Sequence, residues 1–344
     1  MKEALTYDDV LLVPQYSEIR SRSEVDLTSF LDDITSFEVP IISSPMDTVS
    51  EEGMAVAMCR SGGLSIIHRY NSIEEQADIV SEACKRGCNT VGAAIGVTGD
   101  YLERAKALYA AGATVLCIDV AHGHHIMMKE ALEAIKGEFG ASVHIMAGNV
   151  ATREGYEDLC DWGADSVRCN IGGGSICSTR IQTGHGVPGL QTIMDCAASD
   201  RDAVIIADGG IKNSGDITKA LAAGADFVML GSLLAGTDES PGDVEIDREG
   251  NRFKVYRGMA SRDAQNSWRG RLSSAPEGIA TTVSYKGSVL DIMHDLSMGV
   301  RSGLSYSGAK NISELQVSAK FVKQTNASQT ESNTHILTRG EDAS

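Results

Sequence analysis

The sequence predicts an α/β fold, a (β/α)8 TIM barrel, on three observations. Eight short runs rich in Val, Ile and Ala recur along the chain, and each is nearly continuous, as strands buried on both faces are. Segments with the charged faces typical of surface helices separate the runs. Glycine closes several of these segments, as at 111–113 and 223–225, which is typical of a helix that ends before the next strand. Eight consecutive strand–helix units favour a TIM barrel over a doubly wound sheet, the weaker alternative.

The predicted elements follow one another from residue 39 onwards. The strands cover residues 39–46, 63–69, 90–96, 114–121, 143–150, 165–172, 203–210 and 226–232. The helices include residues 73–86, 101–111, 127–138, 153–162 and 214–223. We expect one domain over residues 1–344, with the barrel at about 39–305.

Three segments do not belong to the minimal barrel. Residues 1–38 form an extension before the first strand. Residues 243–257 predict a β-hairpin after the eighth strand, with its turn at 248–251. The last segment, about 315–344, is rich in Ser, Thr, Asn and Gln and predicts an extended tail.

Composition excludes several classes of protein. The formal net charge of −17 disfavours nucleic acid or an anionic membrane as the main partner. No apolar run reaches the roughly 18 residues that span a bilayer, and the N-terminus lacks a signal-peptide core, so we expect a cytoplasmic protein. The eight cysteines are scattered without a C-x-x-C pair, which predicts reduced thiols and neither a disulfide framework nor a zinc site.

The most informative stretch is residues 172–180, Gly-Gly-Gly-Ser-Ile-Cys-Ser-Thr-Arg, just beyond the sixth predicted strand. The glycines allow a tight turn that presents consecutive backbone N–H and C=O groups to a ligand or ion. Cys177 on such a loop would be exposed, and its thiolate could act as a nucleophile. The alternative is an ordinary flexible loop that carries a small apolar residue.

Polar residues follow most of the predicted strands, at the end of a TIM barrel where active sites gather. They include Asp47, His68, Asp119, His122 and Asn149. Each has a structural alternative, since an aspartate can cap a helix and a buried histidine can be satisfied within the core. Their common placement favours a functional site.

The ends of the seventh and eighth strands carry a second signal. Asp208, Gly209 and Gly210 end the seventh, and Gly231 and Ser232 end the eighth. Backbone N–H groups and a serine hydroxyl at two adjacent late strands predict a phosphate site, and Asp208 is placed to accept hydrogen bonds from a ribose diol.

Taken together, these motifs resemble the IMP dehydrogenase/GMP reductase family over nearly the full chain. Within that family the sequence is most similar to a GMP reductase without the regulatory CBS insert. The matching motifs lie at residues 7–14, 44–49, 119–124, 147–150, 174–180, 207–211 and 256–259.

The resemblance implies a site for GMP or IMP, with Cys177 attacking C2 of the purine and Thr179 and Glu277 acting beside it. It also implies a nicotinamide cofactor, a homotetramer and a potassium ion. The implied substrate contacts are Ser175, Asp208, Gly210, Gly231, Ser232, Tyr256, Gly258 and Met259, and the implied cofactor contacts are Asp119 and Asn149. The implied potassium ligands are the backbone carbonyls of Gly172, Gly174 and Cys177, with Glu331 from a neighbouring subunit.

The direction of the reaction is the open question. The segment implied as the active-site flap, 260–276, is short and contains no tyrosine and no Arg-Tyr pair, which the dehydrogenases use to activate water. No regulatory module interrupts residues 73–90, and residues 21–28 resemble the reductases. These features favour an NADPH-dependent GMP reductase that yields IMP and ammonia.

The main alternative is an IMP dehydrogenase without the CBS module, which would make XMP and NADH from IMP, NAD and water. Residues 91–100, 240–242 and 331–332 resemble the dehydrogenases, and Trp268-Arg269 could be an altered base. A remote third interpretation is a catalytically silent purine-nucleotide sensor, which the intact Cys177, Thr179 and Glu277 disfavour.

Overall fold

Eight parallel strands close into a barrel in the computed structural model, which describes residues 3–270 and 275–334. These eight are β4 to β11 of the strands in the described residues. In chain order the strands are β1 (Val10–Leu12), β2 (Ser29–Phe30), β3 (Ser36–Phe37), β4 (Ile41–Ser43), β5 (Leu64–Ile67), β6 (Gly92–Ile95), β7 (Val115–Asp119), β8 (His144–Val150), β9 (Ser166–Cys169), β10 (Val204–Asp208), β11 (Phe227–Leu230), β12 (Glu245–Ile246), β13 (Arg252–Arg257), β14 (Ala280–Ser284) and β15 (Phe321–Lys323).

Helices separate the barrel strands, and four more helices follow the last barrel strand. The described helices are α1 (Glu52–Arg60), α2 (Ile73–Lys85), α3 (Tyr101–Ala111), α4 (Ile126–Phe139), α5 (Arg153–Asp161), α6 (Thr179–Thr183), α7 (Gly189–Ala197), α8 (Ser214–Ala222), α9 (Arg262–Arg269), α10 (Val289–Tyr306), α11 (Ile312–Ser318) and α12 (Asn326–Glu331). None of the helices in the described ranges has the length and apolar character needed to cross a membrane.

The barrel consists of β4 to β11 in sequence order, and β11 closes it by pairing with β4. The prediction of a TIM barrel is therefore confirmed, and each of its eight predicted strands contains one barrel strand. The observed strands are shorter than the apolar runs because the runs continue into the loops that leave the sheet. His68 and Arg69, for example, follow β5 rather than belong to it.

The barrel interior is packed, and a hairpin closes its amino-terminal end. Buried side chains from the barrel strands form one cluster with Leu31 and Phe37 of the β2–β3 hairpin. The Phe37 ring meets the Phe227 ring edge-on at 5.9 Å between centroids, and Ser29 Oγ donates to the carbonyl of Asp226 at 2.8 Å. Among the described residues of the barrel, the space for a ligand therefore lies at the carboxyl ends of the strands.

The predicted hairpin after the last barrel strand is confirmed, and it gains a third strand. β12 pairs with β13 around a turn in which the Asp247 carboxylate accepts from the backbone N–H of Glu249 and Asn251 at 2.8 and 2.9 Å. β14, which the sequence did not predict, pairs along β13. The extra strand fixes the end of β13, and with it the residues from Tyr256 onwards, beside the carboxyl end of the barrel.

The predicted extended tail is wrong for the described residues 315–334. This segment contains the end of α11, the strand β15, and α12, and β15 pairs antiparallel with β1. The polar composition concealed a fully buried Leu315 and two helix caps, in which Asn311 and Thr325 side chains accept backbone N–H groups. Residues 335–344 lie outside the described residues.

Candidate active site

A cavity of about 720 Å³ opens at the carboxyl end of the barrel. Its lining contains every residue that the sequence predicted for the site of a single chain. These are Asp119, Asn149, Gly172, Gly174, Ser175, Cys177, Thr179, Asp208, Gly210, Gly231, Ser232, Tyr256, Gly258, Met259 and Glu277. Glu331 is not in the lining and ends α12, so its predicted place in a neighbour's site stays a prediction.

Some strand-end residues that the sequence singled out take structural roles instead. His68 is buried and lies 2.8 Å from the Glu51 carboxylate. Asp47 accepts from the Arg257 guanidinium at 2.6 Å. These two and His122 are absent from the cavity lining, so a polar residue at a barrel rim is not by itself a site residue.

The cysteine loop is fastened to the segment that carries Glu277. The backbone N–H of Ser178 donates to the carbonyl of Glu277, and that of Ile279 donates to the carbonyl of Ile176, both at 3.0 Å. The Sγ atom of Cys177 lies 3.2 Å from Oγ1 of Thr179. The pairing therefore holds the thiol, a hydroxyl and the Glu277 segment at one end of the cavity.

Glycines bring the loops after β9 and β10 within backbone contact, and a glycine after β11 lies against the Tyr256 side chain. Gly209 and Gly210 have φ values of +89° and +80°, which favour glycine. A Cβ on Gly209 would lie 3.2 Å from the nitrogen of Gly174, and one on Gly231 would lie 2.9 Å from Oη of Tyr256. These loops form a cradle that can present N–H groups to an oxyanion, and we call residues 209–210 and 231–232 the phosphate cradle.

Tyr256 contributes a hydroxyl to the same region. The residue is 4% exposed, and burial raises its pKa above the usual value for tyrosine. It is therefore protonated at neutral pH and can donate a hydrogen bond.

Arg168 joins two of the predicted site residues and was missed by the sequence analysis. Its guanidinium donates to Asp119 Oδ1 at 2.5 Å and to Asp208 Oδ2 from both Nη2 and Nε, at 2.8 and 3.1 Å. Asn149 Nδ2 donates to the same Asp208 oxygen at 2.8 Å. Burial alone would lower the pKa of Arg168, but the two carboxylates outweigh it and hold the pKa well above its usual value. The sequence signal that could have identified Arg168 was its charge, since it lies inside the apolar run of the sixth predicted strand.

A cation and two aromatic rings form part of the cavity wall. Arg69 Nη2 donates to the carbonyl of Asp119 at 3.3 Å, and the guanidinium carbon lies 5.1 Å from the centre of the Tyr70 ring. The Tyr70 ring meets Trp268 of α9 edge-on at 6.2 Å between centroids. Flat π surfaces beside a guanidinium suit an aromatic ligand that carries negative charge.

Cys177 differs from the other cysteines in its surroundings. All eight thiols are free, and Cys177 is the one among them that lines the cavity. Burial raises the pKa of Cys117 to about 12 and that of Cys160 to about 11, so these thiols stay protonated at neutral pH. The nucleophile predicted from the sequence is therefore also the thiol that a ligand in the cavity can reach.

A family model for the IMP dehydrogenase / GMP reductase domain matches residues 4–335. An inosine-5'-monophosphate dehydrogenase from Cryptosporidium parvum is 39% identical over 386 positions, which cover 97% of this chain and 95% of the relative. A GMP reductase from Leishmania major is 34% identical over 483 positions, which cover 98% of each chain. A solved GMP reductase variant from Trypanosoma brucei, in complex with guanosine 5'-monophosphate, superposes with a TM-score of 0.93 at 34% identity and covers 98% of this chain and 99% of its own.

These similarities bear on the predicted absence of a regulatory insert. The Leishmania alignment exceeds the 344 residues of this chain, so that reductase carries segments with no counterpart here. The absence of an insert therefore does not separate reductases from dehydrogenases. Family and fold are nevertheless unambiguous: the chain belongs to the IMP dehydrogenase / GMP reductase family, whose members are oxidoreductases acting on purine nucleotides.

Proposed function

We propose that the protein is a GMP reductase, which converts GMP, NADPH and a proton to IMP, ammonia and NADP⁺. The observation that carries this proposal is the composition of the flap, residues 260–276, where it faces the cavity. Its described lining residues are Ala260, Ala264, Gln265 and Trp268. None of these four has a side chain that titrates near neutral pH.

The flap matters because the two reactions of this family differ in how the covalent adduct is released. A dehydrogenase must hydrolyse the adduct, and the attacking water needs a general base. A reductase releases the adduct by hydride transfer and needs no such water. The acidic residue of the flap, Asp263, is engaged elsewhere, since its carboxylate accepts from Arg257 Nη1 at 2.6 Å. The side chain of Arg269, the possible altered base, and residues 271–274 lie outside the part of the flap that the structure describes.

The cavity supplies groups for each step of the proposed reaction. The cradle and Ser175 would bind the phosphate, and the Asp208 carboxylate would accept from the ribose. Three donors use Asp208 Oδ2, and no donor from the described ranges reaches Oδ1, which leaves that oxygen for a ribose hydroxyl. Cys177 would attack C2 of the base, and Glu277 with Thr179 would deliver a proton to the departing ammonia.

The same lining contains the groups that would hold the cofactor and the cation. Asp119, Asn149 and the Arg69–Tyr70 wall would hold NADPH, which supplies the hydride when it is bound. The carbonyls of Gly172, Gly174 and Cys177 would hold potassium. Within the described ranges no donor reaches the Gly172 or Cys177 carbonyl, and Arg180 binds the neighbouring carbonyl of Ile171 instead. In the proposed homotetramer, Glu331 of a neighbouring subunit would complete this cation site.

An IMP dehydrogenase remains the second candidate. The observation in its favour is that the Cryptosporidium dehydrogenase, at 39% identity, is more similar to this chain than the Leishmania reductase, at 34%. Both candidates use Cys177 and the same nucleotide site, and they differ in the nucleotide that enters and in how the covalent adduct is released.

Two parallel assays separate the candidates. With GMP and NADPH, purified protein should consume NADPH over many turnovers and release IMP and ammonia in equal amounts. With IMP and NAD, it should produce at most one NADH per site and stall as the covalent adduct. Sustained formation of XMP would refute the reductase and establish the dehydrogenase. Cys177→Ala, which should be inactive in both assays, is the control for contaminating activity.

A further inference from the structure

Asn170 occupies an unusual position directly after β9, where the cysteine loop begins. Its φ is +147°, in the region that residues with a Cβ rarely adopt, and it is the only non-glycine residue with positive φ in the described ranges. Its side chain is buried, with the residue 4% exposed. Such a conformation persists only where surrounding contacts over-determine it, and residues of this kind cluster at functional sites.

The contacts of Asn170 reach the strand ends on both sides of β9. Its carbonyl accepts from Nδ2 of Asn149, the next-to-last residue of β8, at 3.1 Å. Its own Nδ2 donates to the carbonyl of Gly209, in the phosphate cradle after β10, at 3.2 Å. One residue therefore connects the ends of three consecutive barrel strands.

The Asn170 side chain also determines the shape of the cysteine loop. A Cβ added to Gly173 would lie 2.2 Å from Asn170 Nδ2, and one added to Gly189 would lie 3.1 Å from the same atom. The loop thus passes over the Asn170 amide at a distance that only glycine permits. The amide stays in this crowded position although its Oδ1 is buried and has no hydrogen-bond partner among the described residues.

We propose that Asn170 is a positioning residue that couples occupancy of the phosphate cradle to the placement of Cys177. The coupling runs from the Gly209 carbonyl through the Asn170 amide to Gly173, and from there along the loop to the cysteine. When a nucleotide phosphate fixes the cradle, the amide fixes the loop in the position from which the thiol reaches C2. The inference rests on the proposed roles of the cradle and of Cys177, and it does not depend on the direction of the reaction.

Two substitutions at Asn170 test whether its side chain acts through the hydrogen bond that it donates to Gly209 or only through the space that it fills. Asn170→Gly tolerates the positive φ and removes the amide, and it should lower kcat about tenfold while the KM for the nucleotide changes less than about threefold. Asn170→Asp keeps the shape but places an acceptor against the Gly209 carbonyl, so its loss of kcat should equal or exceed that of Asn170→Gly. An Asn170→Asp enzyme with wild-type kcat would refute the hydrogen bond as the cause.

A double substitution tests the contact with Gly173. Gly173→Ala should lower kcat more than about tenfold in the wild type, because its methyl group would overlap the amide. In the Asn170→Gly background the methyl group has room, so the same substitution should cost less than about threefold. Equal losses in both backgrounds would overturn the proposed contact.

The coupling itself is measured by alkylation of Cys177 with iodoacetamide, followed by mass spectrometry. GMP should slow alkylation of the wild type strongly and that of Asn170→Gly only weakly, at GMP concentrations that saturate both. If GMP does not protect Cys177 in the wild type, the proposed function and the coupling both fail. If the wild type is protected and Asn170→Gly is protected equally, the coupling alone is refuted.

Discussion

Replacing Arg168 with methionine tests how much of the site depends on one buried cation. The side chains of Arg168, Asp119 and Asp208 are 7%, 16% and 13% exposed, so the ion pairs are largely shielded from solvent. Arg168→Met has a similar length, but it removes the three hydrogen bonds that Arg168 donates to Asp119 and Asp208 and leaves these two carboxylates without their shared cation.

The expected cost follows from that geometry. Removing one partner of a buried ion pair destabilises a protein by about 3–5 kcal/mol, because the remaining charge is left uncompensated. In a domain of this size each kcal/mol lowers the Tm by about 2 °C, so the Tm should fall by about 6–10 °C. Nucleotide binding should weaken as well, because Asp208 would lose two of its three donors.

Differential scanning calorimetry on the variant and two controls measures the effect. Arg168→Lys keeps the charge but lacks the planar guanidinium that donates to both carboxylates at once, so its Tm should lie between those of the wild type and Arg168→Met. Arg201→Met breaks a solvent-exposed pair with Asp161, and its Tm should match that of the wild type. An Arg168→Met protein that melts within about 1 °C of the wild type would show that the bridge does not hold these carboxylates in place.

Four further predictions concern the Cys177 thiol, the potassium ion, Asp226 at the amino-terminal end of the barrel, and Trp268 of the flap. Cys177→Ala should abolish turnover and leave the Kd for GMP within about tenfold by calorimetry, whereas Cys196→Ala, away from the cavity, should stay active. Potassium should raise the rate relative to a bulky organic cation at equal ionic strength, and equal rates in both salts would remove the cation from the scheme. Burial raises the pKa of Asp226 to about 6 from 3.8, so folding takes up a proton and wild-type stability falls as pH rises through that range. Asp226→Asn should therefore gain about 2–3 kcal/mol over the wild type above about pH 7 in urea unfolding and nothing below about pH 4; a gain independent of pH would contradict the assignment. Trp162→Phe leaves Trp268 as the only tryptophan, and NADPH should quench its fluorescence more than GMP does; no quenching at saturating NADPH would place the cofactor elsewhere.

The barrel could be predicted because its strands are buried on both faces and so appear as continuous apolar runs. The site residues could be placed because a TIM barrel gathers its strand ends at one rim, and because short motifs around Cys177 and Asp208 mark that rim. What the sequence cannot show is which side chains pair across the rim. Arg168 binds carboxylates 49 and 40 residues away in the chain, and no local pattern links them.

The errors have equally specific causes. The tail contains many Ser, Thr, Asn and Gln residues, which are typical of both disordered segments and helix caps, and only the buried Leu315 distinguishes the two. β14 is exposed along most of its length, so it lacks the apolar alternation that marks a strand, and its pairing with β13 defines it instead. Asn170 was overlooked because its importance lies in its backbone conformation rather than in its residue type.

The pairing of β1 with β15 has a consequence for the order in which the protein matures. β1 follows directly on the turn that carries Tyr7, whose ring lines the cavity, and the backbone N–H of Gln324 donates to the carbonyl of Asp9 at 2.8 Å. During synthesis β1 cannot pair until β15 has been made, although the barrel strands between them can already pair with one another. A ribosome-bound or truncated chain that ends before residue 321 would then be a folded barrel whose first strand lacks its pairing partner. Contacts such as the one from Lys219 Nζ to the carbonyl of Tyr7 would still hold the arm, and β15 would add the last support beside the cavity.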